Sequence, residues 1–164
     1  AVVYSVENSN MKARNGFTLV EILIVVVILG ILAAIVIPQF TEASTEAKQS
    51  SLVSDLQTAR SQIELYKIQH NDNLPGSVGG AVPTEALFNS HITGYTTVLG
   101  AASTAGAVGA FGPYLQKIPS NPFCTDPNGV TVGAADPAAA STAGDGWYLN
   151  STTGQFFALN DLDL

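Results

Sequence analysis

Residues 12–21 read Lys12-Ala13-Arg14-Asn15-Gly16-Phe17-Thr18-Leu19-Val20-Glu21, and an apolar run continues from Ile22 to Ile37. Two basic residues precede a glycine, and from Phe17 to Ile37 only Thr18 and Glu21 carry polar side chains. As a helix rising about 1.5 Å per residue, the stretch spans roughly 32 Å, enough to cross a hydrocarbon core of about 30 Å. Lys12 and Arg14 place the N-terminal side in the cytoplasm and the body of the chain on the far side of the membrane. A secretory signal cut near Ala33-Ala34 is the competing reading. The apolar core of such a signal is about 7–15 residues, and this run is longer and continues past Ala34.

Glu21 is out of place in that run. A carboxylate costs about 2.5–3.5 kcal/mol at the centre of a membrane helix and less near the interface. Cleavage after Gly16 would turn Phe17 into a cationic amine, able to pair with Glu21 of its own chain or of a neighbour packed alongside. Removing one member of such a pair strands a charge in low dielectric. The alternative is a single-pass anchor that tolerates one glutamate near its cytoplasmic end.

The hexapeptide Gly16-Phe17-Thr18-Leu19-Val20-Glu21, with Gly30 and Pro38 further along, resembles the processing site of type IV prepilins and of the pseudopilins of type II secretion. The resemblance implies that a prepilin peptidase cuts after Gly16 and N-methylates Phe17. It implies that Glu21, with Phe17, docks the subunit into a filament, and that the helix kinks at Gly30 and Pro38. Met11 fits a start, making Met11–Gly16 a short basic leader, with residues 1–10 either untranslated or part of a longer leader. Residues 1–16 are then lost from the mature chain, and 17–38 form the transmembrane or filament-core helix.

Residues 39–164 form the globular part, expected as an amphipathic helix over 39–70, a variable loop over 71–111 and a β-region over 112–164. No Gly or Pro interrupts Gln39–His70, and apolar side chains fall at Phe40, Ala43, Ala47, Leu52, Leu56, Ala59, Ile63 and Tyr66. The later steps of four and three define one helical face, a seat for a small domain. Pro38 removes one backbone hydrogen bond and should bend the helix without ending it. Asn71-Asp72-Asn73-Leu74-Pro75-Gly76 ends it. A short helix is expected at Thr84–Phe88 with Thr84 as its cap, and 100–112 reads as a flexible loop that makes a poor core.

Trp147-Tyr148-Leu149 and Gln155-Phe156-Phe157-Ala158-Leu159, separated by a polar turn with Gly154, predict a hairpin. Val130-Thr131-Val132 should add a third strand, giving a small antiparallel sheet against the helix stripe. The fold class is therefore α+β, a long N-terminal helix packed on a small C-terminal antiparallel sheet, as the resemblance also implies. Gly112–Phe123 and Gly146–Phe157 resemble segments of major, G-type pseudopilins.

Beyond Gly16 four basic side chains face twelve acidic ones, which argues against general nucleic-acid binding. Cys124 is the sole cysteine, so no intramolecular disulfide forms, and it is expected as a small buried residue. The cysteine pair of many type IV pilins is absent, which favours a pseudopilin. The resemblance raises a calcium ion in the C-terminal loops, where Asp126, Asp136, Asp145, Asp161 and Asp163 lie. They form no recognisable ligand series, so no metal or other cofactor is expected. His70 and His91 sit in no catalytic motif and read as surface or helix-end residues. Asn150-Ser151-Thr152 fits a glycosylation sequon, but inside the expected turn.

The reading is a structural subunit, not an enzyme, of a type II secretion pseudopilus or type IV pilus-like filament. The resemblance implies as partners further copies of the chain, the prepilin peptidase, and an inner-membrane assembly platform with its ATPase. It places the chain in the bacterial inner membrane, then in a periplasmic or extracellular filament. The rival is a membrane-tethered extracytoplasmic enzyme or binding domain.

Overall fold

The computed structural model describes residues 16–135, 137 and 144–159. The proposed leader, apart from Gly16, lies outside them, as do Asp136, Asp161 and Asp163. Helix α1 runs Leu19–Gln69 and α2 runs Glu85–Thr93, followed by strands β1 (Tyr95–Thr96), β2 (Ala102–Ser103), β3 (Asp126–Gly133), β4 (Asp145–Asn150) and β5 (Phe156–Ala158). By its internal contacts the chain divides into two units, the first ending at Ser44 and the second beginning at Thr45.

In the first unit every described residue is exposed. Leu19, Val27, Leu32 and Ile37 are 82, 52, 52 and 64% exposed. Helix α1 passes through Gly30 and Pro38 without ending.

In the second unit Leu52, Leu56, Ala59, Ile63 and Tyr66 of α1 are all buried, the face expected from their spacing. The earlier members of the apolar series, Phe40, Ala43 and Ala47, are exposed, so the seat of the domain begins at Leu52. Phe88 and Ile92 of α2, Tyr114, Ile118, Val130, Trp147, Leu149 and Phe156 complete the core. Trp147 stacks on Phe156 at 5.4 Å, and its indole N–H donates to the Pro119 carbonyl at 2.9 Å. Asn121, fully buried, donates to the Gly146 carbonyl and accepts from the Phe123 amide, tying 119–123 to β4.

The α+β class holds, with a long helix and a small sheet. The sheet is mixed, however: β4 pairs with β5 antiparallel, Tyr148 opposite Phe157, but with β3 parallel, Thr131 opposite Tyr148. Pattern alone cannot give a strand's direction when a long connection follows it, and 134–144 is long enough for a crossover. The turn between β4 and β5 depends on Gly154, whose φ of +74° favours glycine and where a Cβ would strike Leu74.

The segment expected as a variable loop is more ordered than its composition suggested. Helix α2 extends five residues past Phe88, and Thr84, though at its N-cap, makes no side-chain capping bond. Phe111 bridges Thr96 through paired backbone bonds of 3.0 and 2.8 Å, closing the β1–β2 hairpin against the rest. Small residues hid this because the apolar burial rests on Phe88 and Ile92, with Phe111 partly buried against the core.

Candidate functional site

The backbone at Gly16, Phe17 and Thr18 is non-helical, and α1 starts at Leu19. Thr18 is the N-cap. Its backbone N–H and its hydroxyl both donate to Glu21 Oε2 at 2.8 Å, and the Glu21 N–H donates back to Thr18 Oγ1 at 3.2 Å. This is a capping box, in which two backbone donors that the first turn leaves open are satisfied reciprocally. The carboxylate also sits where the positive end of the helix dipole favours it. Phe17, at the position before the cap, lines one shallow groove with Ile22, the first residue to close the helical ladder. That placement matches a hydrophobic staple.

The head of α1 thus gives Glu21 a local partner that the expectation of a Phe17 pair did not include. In the intact chain the Phe17 nitrogen is an amide and carries no charge. The signal was legible: Thr-x-x-Glu before an apolar run is the capping-box pattern. Gly16 and Phe17 are exposed, Phe17 at 83%, so the peptide bond between them stands open at the end of the helix. Gly30 faces open space, where a methyl group would meet no atom within 4 Å, and leaves a smooth small-residue position on the apolar helix. Near Pro38 the Thr41 hydroxyl donates to the Ile37 carbonyl at 3.1 Å, a back-bond that lets a polar side chain sit on this helix. The segment is long and apolar enough to cross a membrane.

Both histidines lie at helix ends, as one of the two expectations had it, but neither is at the surface. His70 is fully buried and His91 nearly so. His70 stacks on Tyr66 at 3.7 Å between ring centroids, its Nδ1–H donating to the Tyr66 carbonyl at 2.8 Å. Its Nε2 lies 2.8 Å from Thr96 Oγ1, which donates to it in the neutral ring. His91 Nδ1 accepts from the Gly76 N–H at 3.1 Å and from the Tyr66 hydroxyl at 3.0 Å. Burial lowers the pKa of both rings, and for His91 the nearby His70 adds to it. Burial likewise pushes the Tyr66 and Tyr114 phenols up to about 12. The network joins α1, α2 and the loops after each, and its work is structural. His70 extends the buried face by the next step of four after Tyr66, a signal available in the spacing.

Asp126 and Asp145 are brought opposite each other on β3 and β4, with both carboxyl groups against Gly129. Asp145 Oδ2 accepts from Thr131 Oγ1 at 2.5 Å and Asp126 Oδ1 from the Gly129 N–H at 3.0 Å. Calcium takes six to eight oxygens. Among the described residues no group of three acidic, histidine or cysteine side chains is placed to hold a metal. Cys124 is half-buried, with its thiol directed at the Leu159 carbonyl. In the turn, Asn150 Oδ1 accepts from the Thr152 and Thr153 amides, so the sequon asparagine is part of the turn's own bonding.

An exposed Gly-Phe junction, a capped apolar helix and an α+β body define a pilin-like architecture. Residues 11–37 match the prokaryotic N-terminal methylation motif. The chain is 29% identical over 118 residues to the type II secretion system core protein G of Klebsiella pneumoniae, covering 71% of this chain and 74% of that one. It is 38% identical over 60 residues to the core protein G of Aeromonas hydrophila, covering 37% of this chain and 42% of the relative. It is also 32% identical over 94 residues to a fimbrial protein of Pseudomonas aeruginosa, covering 57 and 58%. Of these last two relatives the chain therefore spans under two thirds of the length. No solved structure matches the chain. Its N-terminal segment carries the methylation motif, and the chain is similar to the core protein G of type II secretion systems.

Proposed function

We propose that the chain is a structural subunit of a pseudopilus of the type II secretion kind, with no catalytic activity of its own. The observation that carries this is the head of α1: a methylation motif, an exposed Gly16–Phe17 junction and a carboxylate at Glu21, leading an exposed apolar helix. A prepilin peptidase cuts after Gly16 and methylates the new Phe17 amine. The subunit waits in the inner membrane with its N-terminus cytoplasmic and its domain outside. An assembly platform and its ATPase then draw it into a filament in the periplasm, where neighbouring helices replace lipid. In that state the Phe17 ammonium and Glu21 pair within or between copies, setting register in a low dielectric. The relatives named as core protein G support the secretion pseudopilus over a surface pilus, and the fimbrial relative supports the surface pilus as the second reading.

The test is intact-mass and N-terminal analysis of the membrane-extracted protein, together with Glu21→Gln. The expected result is an N-methylated Phe17 terminus in the parent chain. In the variant, filament yield should fall by about tenfold or more while the domain melts at the parent temperature. An uncut chain, or full assembly of the variant, would sink the proposal.

A further inference from the structure

Arg60 stands apart from the other basic side chains of the domain. Its Nε–H donates to the Phe156 carbonyl at 2.8 Å, and its guanidinium lies 5.9 Å from the centre of the Phe157 ring. One edge is thereby fixed by β5, while its two terminal nitrogens have no hydrogen bond and no ion pair among the described residues. Lys67, by contrast, is held by Glu64 at 3.2 Å and Asp72 at 3.9 Å. Arg60 lines a cleft of about 420 Å³ with Ile63, Glu64, Thr153, Gln155 and Phe157. Glu64 on its rim is turned to the Lys67 ammonium, which takes both of its oxygens.

We infer that this cleft between α1 and the β4–β5 turn is an interaction surface that receives a carboxylate from a second copy of the chain, with Arg60 as its anchor. The inference rests on the filament reading above. A guanidinium presents a fork of donors matched to a carboxylate, and one already fixed along one edge loses little freedom on binding. The occupant follows from charge. Beyond Gly16 the chain carries twelve acidic and four basic side chains, so copies brought side by side repel unless a cation meets an acid. Glu46, Asp55 and Glu85 make no ion pair among the described residues and supply that acid. Ile63 and Phe157 give the apolar floor that keeps water from the contact.

The test uses the full chain assembled in membranes. A photo-crosslinking amino acid in place of Gln155 should join two copies, and the joined species should vanish in Glu21→Gln. Arg60→Glu should cut filament yield by roughly tenfold, and one of Glu46→Arg, Asp55→Arg or Glu85→Arg should restore it. Arg60→Gln keeps a donor for the Phe156 carbonyl without the charge, and should lose assembly while the domain melts as in the parent. Normal assembly of both Arg60 variants, crosslinks only to other proteins, or no restoring partner would overturn the inference. If Glu21→Gln still blocks assembly in that case, the filament reading stands and only the Arg60 surface falls.

Discussion

Helix α1 carries two apolar surfaces with different fates. From Leu19 to Ile37 the apolar side chains surround the helix, and about half or more of each is exposed. Further along, Leu52, Leu56, Ala59, Ile63 and Tyr66 form a single stripe, each at most 3% exposed, while Leu65 off the stripe is 40% exposed. A stripe is buried by one partner layer, and the chain supplies it from α2, β4 and β5. A helix that is apolar all round needs cover on every side, which lipid or other copies of a chain can give. The difference assigns the domain's folding stability to the second surface, and the proposed filament role rests on the first.

The sharpest way to break this comparison is to cut apolar volume from each half. Trp147→Ala removes a fully buried ring stacked on Phe156 and should destabilise the domain by about 3–5 kcal/mol. Val27→Ala should leave the same unfolding curve within about 0.5 kcal/mol, since Val27 touches no core. Denaturant unfolding of the full chain in detergent, followed by Trp147 fluorescence for Val27→Ala and by circular dichroism for Trp147→Ala, checks both. Equal losses would mean that the halves share one core.

A smaller effect comes from the histidines, which belong only to the domain. Both rings are held neutral and their pKa values lie below the unfolded value of about 6.5. Below that pH the unfolded chain binds more protons, so stability should be constant above about pH 7 and fall as pH drops through 6.5 toward the folded values. The groups facing His91 are Tyr66, His70 and the Gly76 amide, and none is an acid that would offset its charge. Melting temperatures from pH 8 to 5 should show this loss, and His91→Gln should flatten it. Helical signal from the apolar half should not follow the same curve.

The smallest effect tests the head of the helix. Thr18→Val removes the cap hydroxyl and should cost about 1 kcal/mol locally, while Thr18→Ser should be near neutral. Amide hydrogen exchange of Leu19 to Ile22 in micelles should quicken in the valine variant, with the domain's amides unchanged. Unchanged exchange at the helix head would mean that Glu21 is not engaged in capping.

What could be read in advance divides along the same line. Gly16, Phe17 and Glu21 announce themselves because a motif and a charge in an apolar run are local facts, independent of folding. The buried stripe was equally legible from its steps of four and three. Position in space was not. His70 and His91 look like surface residues because no local pattern tells that α2 and the loop at Gly76 close over them. Arg60 looks like one more polar helical residue until β5 brings the Phe156 carbonyl to it.

The sequence by itself determined the membrane-length helix, its processing motif, the α+β class and the β4–β5 hairpin, because each depends on periodicity or on neighbours a few residues apart. Only the tertiary structure decided the parallel placement of β3, the burial of the two histidines, the meeting of Asp126 with Asp145, and the fixed edge of Arg60. These depend on contacts between residues 14 to 96 positions apart. The chain's local chemistry does not encode them singly, since they arise when the whole core closes and every buried polar group must find its partner.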